Sequence, residues 1–165
     1  MNVGCGGDIW GEVRVDIVKT VKPTVVADAH NLPFVDCSFD VTKASHVLEH
    51  LDNPLKALDE IMRVTRKVVL LIFPTKEGET ALFFFNFPTA YRLRRDHAHK
   101  WIIDPKIVIT HLKKNGWQIR DFKEDKMPFF FFLTGGRKAK YFKWLTNFNL
   151  KAPLSWQCII LAVRT

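Results

Sequence analysis

Cysteine is scarce in this 165-residue chain, and its three cysteines lie far apart. Cys5, Cys37 and Cys158 form no CxxC pair, which argues against a disulfide framework and against a multi-cysteine zinc site. No apolar run approaches the roughly 20 residues of a membrane-spanning helix. No secretory signal is visible at the start of the sequence. These absences predict a cytoplasmic protein without a transmembrane segment.

The composition is that of a folded globular protein, with 47% hydrophobic and 25% charged residues. No internal repeat and no flexible linker divides the sequence, so residues 1–165 are predicted to form one domain. The charge is nevertheless unevenly distributed, with a balance of −3 over residues 1–80 and +11 over residues 81–165. Eleven of the 14 phenylalanines also follow residue 80. Two functional regions are therefore expected, at 1–74 and 75–165.

Hydrophobic patterns alternate between strands and helices along the chain. Asn53-Pro54 and Asp104-Pro105 are typical helix starts, and Gly116 is placed to end the second helix, whose inner side is expected to carry Ile107, Val108, His111 and Leu112. This alternation predicts an α/β fold with a mostly parallel sheet. The predicted strands cover 12–17, 24–29, 39–48, 68–73, 117–122 and 155–163, and a further helix is predicted at 135–148.

The polar and glycine residues of the first half follow the predicted strands. The turn at Gly4–Gly7 comes after Asn2-Val3, and Asp16, Asp28 and Ser45-His46 end the next three strands. Ligands bind beyond the carboxyl ends of the strands in parallel sheets. The sequence therefore predicts a ligand site at this edge of the sheet.

The glycine turn does not fit the dinucleotide-binding fingerprint G-x-G-x-x-G. Gly4 and Gly6 occupy the first two positions, but Ile9 stands at the third. Asp16 comes 12 positions after Gly4, whereas the acidic residue of the fingerprint follows by about 20. A turn without any ligand remains the alternative for the glycines taken alone. A nicotinamide-dependent oxidoreductase is a less favoured interpretation.

The ordered segments "NVGCGGD", "VRVDI", "VVADAHNLPFVDCSFDVTKASHVLEHL" and "ALDEIMRV" resemble class I S-adenosylmethionine-dependent methyltransferases of the small-molecule, type-11-like group. The resemblance covers about residues 2–73. It implies a doubly wound, Rossmann-like, seven-stranded sheet whose last strand is antiparallel. It also implies S-adenosylmethionine as the cofactor and methyl transfer as the reaction.

The resemblance assigns roles to residues at the strand ends. Gly4 and Gly6 would approach the methionine part of the cofactor, Asp16 the ribose hydroxyls and Asp28 the adenine amino group. Ala29 would offer a backbone N–H to the adenine ring, with Leu32 as an apolar wall. The full set of expected cofactor-binding residues is Asn2, Gly4, Cys5, Gly6, Asp16, Ile17, Asp28, Ala29, His30, Leu32, Ser45 and His46.

The sequence departs from the family at two places. "TRK" at 65–67 replaces the usual lysine-proline-glycine-glycine turn, and the sheet is N-terminally shortened, with only Met1, Asn2 and Val3 before the glycine turn. A homo-oligomer that covers the flank, a natural start upstream and a low cofactor affinity are the alternatives. A non-catalytic, cofactor-binding subunit partner is the corresponding alternative function.

Catalysis needs little machinery, because a sulfonium methyl group is already an electrophile that must mainly be aligned and kept dry. The candidate bases are His46, His97 and His99, with Glu49, His50 and Asp96 near them. Each of these side chains could instead cap, pack or lie on the surface. No metal site is predicted, because His97 and His99 lack a recognisable third ligand.

Two basic, aromatic segments lie in the second half, at 81–101 and 127–144. They predict a mouth for an anionic acceptor, which could be a phosphorylated small molecule, a lipid head group or RNA. The alternative is a satellite core of phenylalanines with ordinary surface cations. The cations in question are Arg92, Arg94, Arg95, Lys100, Arg137, Lys138 and Lys140.

Overall fold

The computed structural model describes residues 1–78, 99–128 and 151–165. These residues include seven strands, two α-helices and two short 3-10 helices at Lys19–Val21 and Leu48–His50. The strands are β1 (Asn2–Val3), β2 (Arg14–Asp16), β3 (Val25–Val26), β4 (Phe39–Ser45), β5 (Thr65–Pro74), β6 (Trp117–Pro128) and β7 (Lys151–Arg164). The helices are α1 (Pro54–Val64) and α2 (Pro105–Lys114). The segments 79–98 and 129–150, with the helix predicted at 135–148, lie outside the described residues.

The seven strands form one mixed sheet in the order β3-β2-β1-β4-β5-β7-β6. Strands β1 to β5 pair in parallel, and β7 is antiparallel to both of its neighbours, β5 and β6. The predicted α/β fold with an antiparallel last strand is confirmed. Because β1 lies at the centre of the parallel part, its carboxyl end opens between those of β2 and β4.

Both helices begin as their sequences predict. The side chain of Asn53 accepts a hydrogen bond from the backbone N–H of Lys56 (3.0 Å) at the start of α1. Asp104 does the same for Lys106 (2.8 Å) at the start of α2. Each helix then has a proline in its first turn, where the missing N–H costs nothing.

The core lies between the sheet and the apolar faces of the helices. In α1, Ala57, Leu58 and Ile61 are completely buried, while alternate residues of the central strands, such as Leu71 and Phe73, cover the sheet face. In α2, Val108 and Leu112 are buried, but Ile107 is 55% exposed. The prediction that Ile107 faces inward was therefore wrong, because one turn of this helix buries a narrower stripe than its apolar residues suggest.

Several strands differ in length from their sequence patterns. β2 begins only at Arg14 and β3 contains only two residues. The residues on either side of these strands do not pair with a neighbouring strand and belong to the connecting loops. β4 was expected to continue to residue 48 but ends at Ser45. The reason is His46, whose φ of 54° lies in the left-handed region and turns the chain out of the sheet.

Arg63, near the end of α1, holds the connection between β3 and β4 against the helix. Its guanidinium donates to the backbone carbonyls of Phe34 (2.7 Å) and Leu32 (3.0 Å). It also donates to both carboxylate oxygens of Glu60, and Glu60 accepts the backbone N–H of Leu32 (2.8 Å). The Arg63 guanidinium keeps the pKa of Glu60 below its usual value. This pairing fixes the segment that follows Asp28.

No helix among the described residues is both long enough and apolar enough to cross a membrane.

Replacing Arg63 by lysine should reduce the free energy of unfolding by about 1–3 kcal/mol, because an ammonium group cannot serve both carbonyls and the carboxylate at once. Urea unfolding of the variant measures this loss. The matched control is Arg66→Lys at an exposed ion pair with Asp40, where a change of at most about 1 kcal/mol is expected. Equal losses in the two variants would contradict the structural role of Arg63.

Candidate functional site

A cleft of about 750 Å³ opens at the carboxyl ends of β1 to β4. Most of its lining comes from residues that directly follow a strand, as the parallel topology requires. The lining consists of Val3, Gly4, Gly6, Val15, Asp16, Ile17, Val18, Thr20, Val21, Ala27, Asp28, Ala29, His30, His46, Val47, His50, Leu51, Asp52 and Lys100. The predicted convergence of four strand ends is therefore observed.

The glycine turn forms the floor of this cleft. Gly4 and Gly6 have φ values of 62° and 48°, which side-chain-bearing residues rarely adopt. A Cβ atom on Gly4 would lie 2.3 Å from Cγ2 of Val47, whereas a Cβ atom on Gly6 would meet nothing within 4 Å. Gly4 is therefore required for close packing against the turn after β4. Glycine is required at position 6 for its backbone conformation, and the space where a Cβ atom would lie is open.

Asp16 at the end of β2 is held by two backbone N–H groups. Its Oδ2 accepts from Gly6 (2.9 Å) and its Oδ1 accepts from Val18 (2.8 Å). Each carboxylate oxygen has a further lone pair, so both can accept another hydrogen bond while the group stays fixed. The site thus presents a preoriented acceptor for two neighbouring donors.

Asp28 at the end of β3 is oriented by His30. Its Oδ1 accepts from the backbone N–H of His30 (2.9 Å) and lies 2.7 Å from the Nδ1 of the same residue. The backbone hydrogen bond, followed in importance by the ring, lowers the pKa of Asp28 below its usual value. Among the described residues no hydrogen bond reaches Oδ2, so this oxygen can serve a ligand.

His30 has one tautomer that satisfies its contacts. Its Nε2 lies 3.2 Å from the backbone N–H of Asn53, which can only donate. Nε2 must therefore be the acceptor, and Nδ1 carries the proton that it donates to Asp28. Through these two contacts His30 links the end of β3 to the cap of α1.

His46 lies at the other end of the cleft and contacts acceptors with both ring nitrogens. Its Nδ1 is 3.2 Å from Oε1 of Glu49, and its Nε2 is 3.1 Å from Oε1 of Gln157. The amide nitrogen of Gln157 donates to Asp125 (3.2 Å), which fixes the amide oxygen toward His46. Nε2 of His46 therefore donates to Gln157, and Nδ1 faces the carboxylate of Glu49.

The remaining predicted cofactor residues do not line this cleft. Asn2, Cys5 and Leu32 are buried, and Ser45 pairs with Ile72 in the sheet. The backbone of Cys5 still contributes, because its N–H donates to Val15 (3.1 Å) and ties the ends of β1 and β2 together. The direct roles of these four residues stay predictions.

The candidate bases are only partly described. His99 lies in edge-to-face contact with His50, with ring centroids 4.6 Å apart. His97 lies outside the described residues, as do Asp96 and every cation predicted to face the acceptor except Lys100. Lys100 lines the cleft and bonds to Asp52 (2.5 Å), which lowers the pKa of that carboxyl.

Several lining residues were not predicted from the sequence. Val47, Leu51 and Asp52 follow β4 within a few residues, and their polar or apolar character carries no signature. Gln157, which contacts His46 at the end of the cleft, lies 111 residues away from it in the sequence. Only the folded chain brings these side chains to the strand ends.

Substituting alanine at Gly4 should destabilise the protein more than the same change at Gly6. Both variants carry strain of about 1–2 kcal/mol from positive φ, but Gly4→Ala also forces Cβ into the stiff side chain of Val47, at about 1–3 kcal/mol more. Chemical denaturation measures both. Adding Val47→Ala should recover part of the loss only in the Gly4 variant. No recovery would show that packing against Val47 is not the cause.

Over part of its length the chain is similar to a protein-family model and to a curated protein. Residues 5–73 match the family model described as "Methyltransferase domain". Demethylmenaquinone methyltransferase from Paenarthrobacter aurescens (strain TC1) is 36% identical over 70 residues, which are 42% of this chain and 28% of that protein. The match thus spans under a third of that relative's length.

Solved structures share the fold over nearly the whole chain. A SAM-dependent methyltransferase from Archaeoglobus fulgidus gives a TM-score of 0.64 at 18% identity, covering 99% of this chain and 84% of that one. An S-adenosylmethionine-dependent methyltransferase from Mesorhizobium loti gives 0.66 at 12% identity, covering 99% and 89%. Magnesium protoporphyrin IX methyltransferase from Synechocystis PCC 6803, solved with bound SAM, gives 0.60 at 14%, covering 99% and 68%. These matches show that the chain shares the fold of these proteins.

Proposed function

We propose that this chain, whose residues 5–73 match a methyltransferase domain, transfers a methyl group from S-adenosylmethionine to an anionic acceptor. The observation that carries the proposal is the cleft at the ends of β1 to β4, where a glycine floor and two oriented carboxylates converge. S-adenosylmethionine has a ribose diol, an adenine amino group and a methionine tail, and each of these parts needs a different protein partner. The cleft offers a candidate partner for each part at a different strand end.

The ribose would bind at Asp16. Its two oxygens are fixed by the N–H groups of Gly6 and Val18 and can each accept one more hydrogen bond. Two vicinal hydroxyls are a matching pair of donors, and hydrogen bonds to a charged acceptor are stronger than neutral ones. The fixed carboxylate needs no reorganisation when these donors arrive.

The adenine would bind between β2 and β3. Oδ2 of Asp28 can accept from the amino group, and Ile17, 66% exposed beside the cleft, offers apolar surface to the ring. Covering such an exposed side chain with an aromatic ring is favourable, at about 25 cal/mol per Å² of apolar surface removed from water. Ala29 lies in the same wall.

A dinucleotide fits less well. Residues 4–13, which connect β1 to β2, contain no helix. The pyrophosphate of a nicotinamide cofactor binds at a helix N-terminus at this position in the folds that use it. Without those N–H groups, the negative carboxylates of Asp16 and Asp28 would face the phosphates unopposed.

The methyl group would point toward the end of the cleft at His46, His50 and Lys100. S-adenosylmethionine supplies an activated methyl group, so this chain's residues mainly orient the acceptor and exclude water. His46 stays the candidate base of this region. Because Nε2 of His46 carries the proton that it donates to Gln157, it could accept a proton from the methyl acceptor only after losing its own.

The anionic acceptor is supported by charge rather than by a described contact. Lys100 lies at the cleft, and the balance of residues 81–165 is +11. A cluster of cations raises the local concentration of negative ligands. The arginines at 92, 94, 95 and 137 lie outside the described residues, so their orientation toward the cleft stays a prediction.

S-adenosylmethionine or its demethylated product should raise the melting temperature of the protein, and NAD should not. A ligand at 100 times its dissociation constant stabilises the native state by about 2.7 kcal/mol. Thermal unfolding followed by circular dichroism measures the shift. Stabilisation by NAD alone would overturn the proposal. If the protein binds S-adenosylmethionine but methylates no tested acceptor, the alternative of a non-catalytic, cofactor-binding subunit would be favoured.

Asp16→Ala should weaken binding of the demethylated cofactor by about 1–3 kcal/mol, because two charge-assisted hydrogen bonds are lost. Asp28→Ala should weaken it less, because the apolar wall at Ile17 and Ala29 remains. Isothermal titration calorimetry gives both affinities. Asp40→Ala, at the opposite end of β4, is the control and should bind like the unchanged protein. Unchanged affinity in both site variants would remove these carboxylates from the site.

A further inference from the structure

Three potential metal ligands from two separate parts of the chain meet beside the cleft. Glu49, His50 and His99 each offer one ligand atom, and these atoms all lie within 4.8 Å of one another. Glu49 and His50 belong to the turn after β4. The backbone carbonyl of Glu49 accepts from the N–H groups of Lys100 (2.7 Å) and Trp101 (3.2 Å). These bonds bring the neighbouring His99 to the turn.

The carboxylate of Glu49 is the central feature of this group. Glu49 is completely buried, and its Oε1 is 3.2 Å from Nδ1 of His46. Its Oε2 has no hydrogen-bond partner among the described residues. Burying a carboxylate oxygen without a partner is costly. A cation at Oε2 would remove that cost, while His46 would orient the ligand from behind, as hydrogen-bonding partners of metal ligands commonly do.

We propose that Glu49, His50 and His99 bind a divalent transition-metal ion of the Zn²⁺ type. Two imidazoles and one carboxylate are a donor set that suits zinc and its neighbours, whereas Mg²⁺ and Ca²⁺ prefer oxygen ligands alone. Three protein ligands leave at least one coordination position open, as in catalytic rather than structural zinc sites. The sequence alone could not predict this site, because Glu49 and His99 are 50 residues apart.

The geometry requires a small closure around the ion. With metal–ligand distances of about 2.0–2.1 Å, ligand atoms of a tetrahedral site are about 3.3 Å apart. The ligand atoms now lie within 4.8 Å of one another, so each pair has to approach by about 1.5 Å at most. Only side chains need to move, because the carbonyl of Glu49 already fixes the backbone beside His99.

The open coordination position would be reached from the cleft, because His50 lines it. One carboxylate and two neutral imidazoles leave a net charge of +1 on a divalent ion, which favours an anionic oxygen as the next ligand. If the proposed function holds, this ligand is an oxygen of the methyl acceptor. The ion-binding step itself does not depend on the cofactor.

Zinc binding tests the proposal directly. The protein is made with Cys37→Ser, because Cys5 and Cys158 are buried and the more accessible thiol would otherwise add a competing ligand. We expect one Zn²⁺ per chain by elemental analysis after dialysis, and a visible spectrum of tetrahedral Co²⁺. Glu49→Gln and His99→Ala should each weaken Zn²⁺ binding by at least about tenfold, since even indirect partners of a metal cost 10- to 100-fold.

His111→Ala is the matched control, because His111 is a histidine that pairs with a carboxylate, Asp59, away from the site. It should bind Zn²⁺ like the parent protein. Less than one ion per chain in the parent protein, or equal affinities in His99→Ala and His111→Ala, would overturn the proposal. His99 is only partly buried, so His99→Ala should fold. Its Zn²⁺ affinity therefore tests the proposal even if Glu49→Gln does not fold.

Calorimetry with the demethylated cofactor on the same samples separates the two proposals. Zn²⁺ binding without cofactor binding would leave the metal site in place and contradict the proposed function. Cofactor binding without Zn²⁺ binding would support the cofactor site and contradict the metal site.

Discussion

The backbone of Gly4 passes so close to Val47 that no side chain fits between them. This contact brings the turn after β1 against the turn after β4, and it determines where the chain can go next. Gly6 is then placed to donate its N–H to Asp16 at the end of β2. Three strand ends are thus joined through two glycines, and the cleft exists because neither glycine fills it.

The carboxylates at this edge are held by the backbone rather than by cations. Asp16 accepts two N–H groups and Asp28 accepts one, together with the ring of His30. Backbone donors stabilise the charged form without neutralising it, and they fix the direction of the free lone pairs. A ligand that brings hydroxyl or amino donors therefore meets groups that are already oriented. A ligand that brings phosphates meets negative charge.

Local patterns were sufficient to predict where both helices begin and roughly where the first strands end. Asn53-Pro54 and Asp104-Pro105 start helices by contacts within three residues, and strand ends can be recognised wherever a β-branched run stops at an aspartate. Exposure was harder to predict, because Ile107 has the same apolar character as Val108 but faces solvent. Leu32 likewise gives no sign in the sequence that it packs in the core. Burial depends on which neighbours arrive from distant positions.

The other end of the cleft depends on such distant contacts. The left-handed φ of His46 ends β4 at Ser45 and brings His46 into the cleft. A non-glycine residue keeps that conformation only where the surrounding structure holds it. Glu49 contacts the ring from the adjoining turn, but Gln157 does so from the last strand, and Lys100 anchors the turn from the far side. The family match ends at residue 73, so it includes the groups expected to bind the cofactor but only part of the region where a methyl group would leave. Relatives can therefore share the first half of this chain and still differ in the acceptor, since Gln157, His99 and Lys100 lie outside the matched segment.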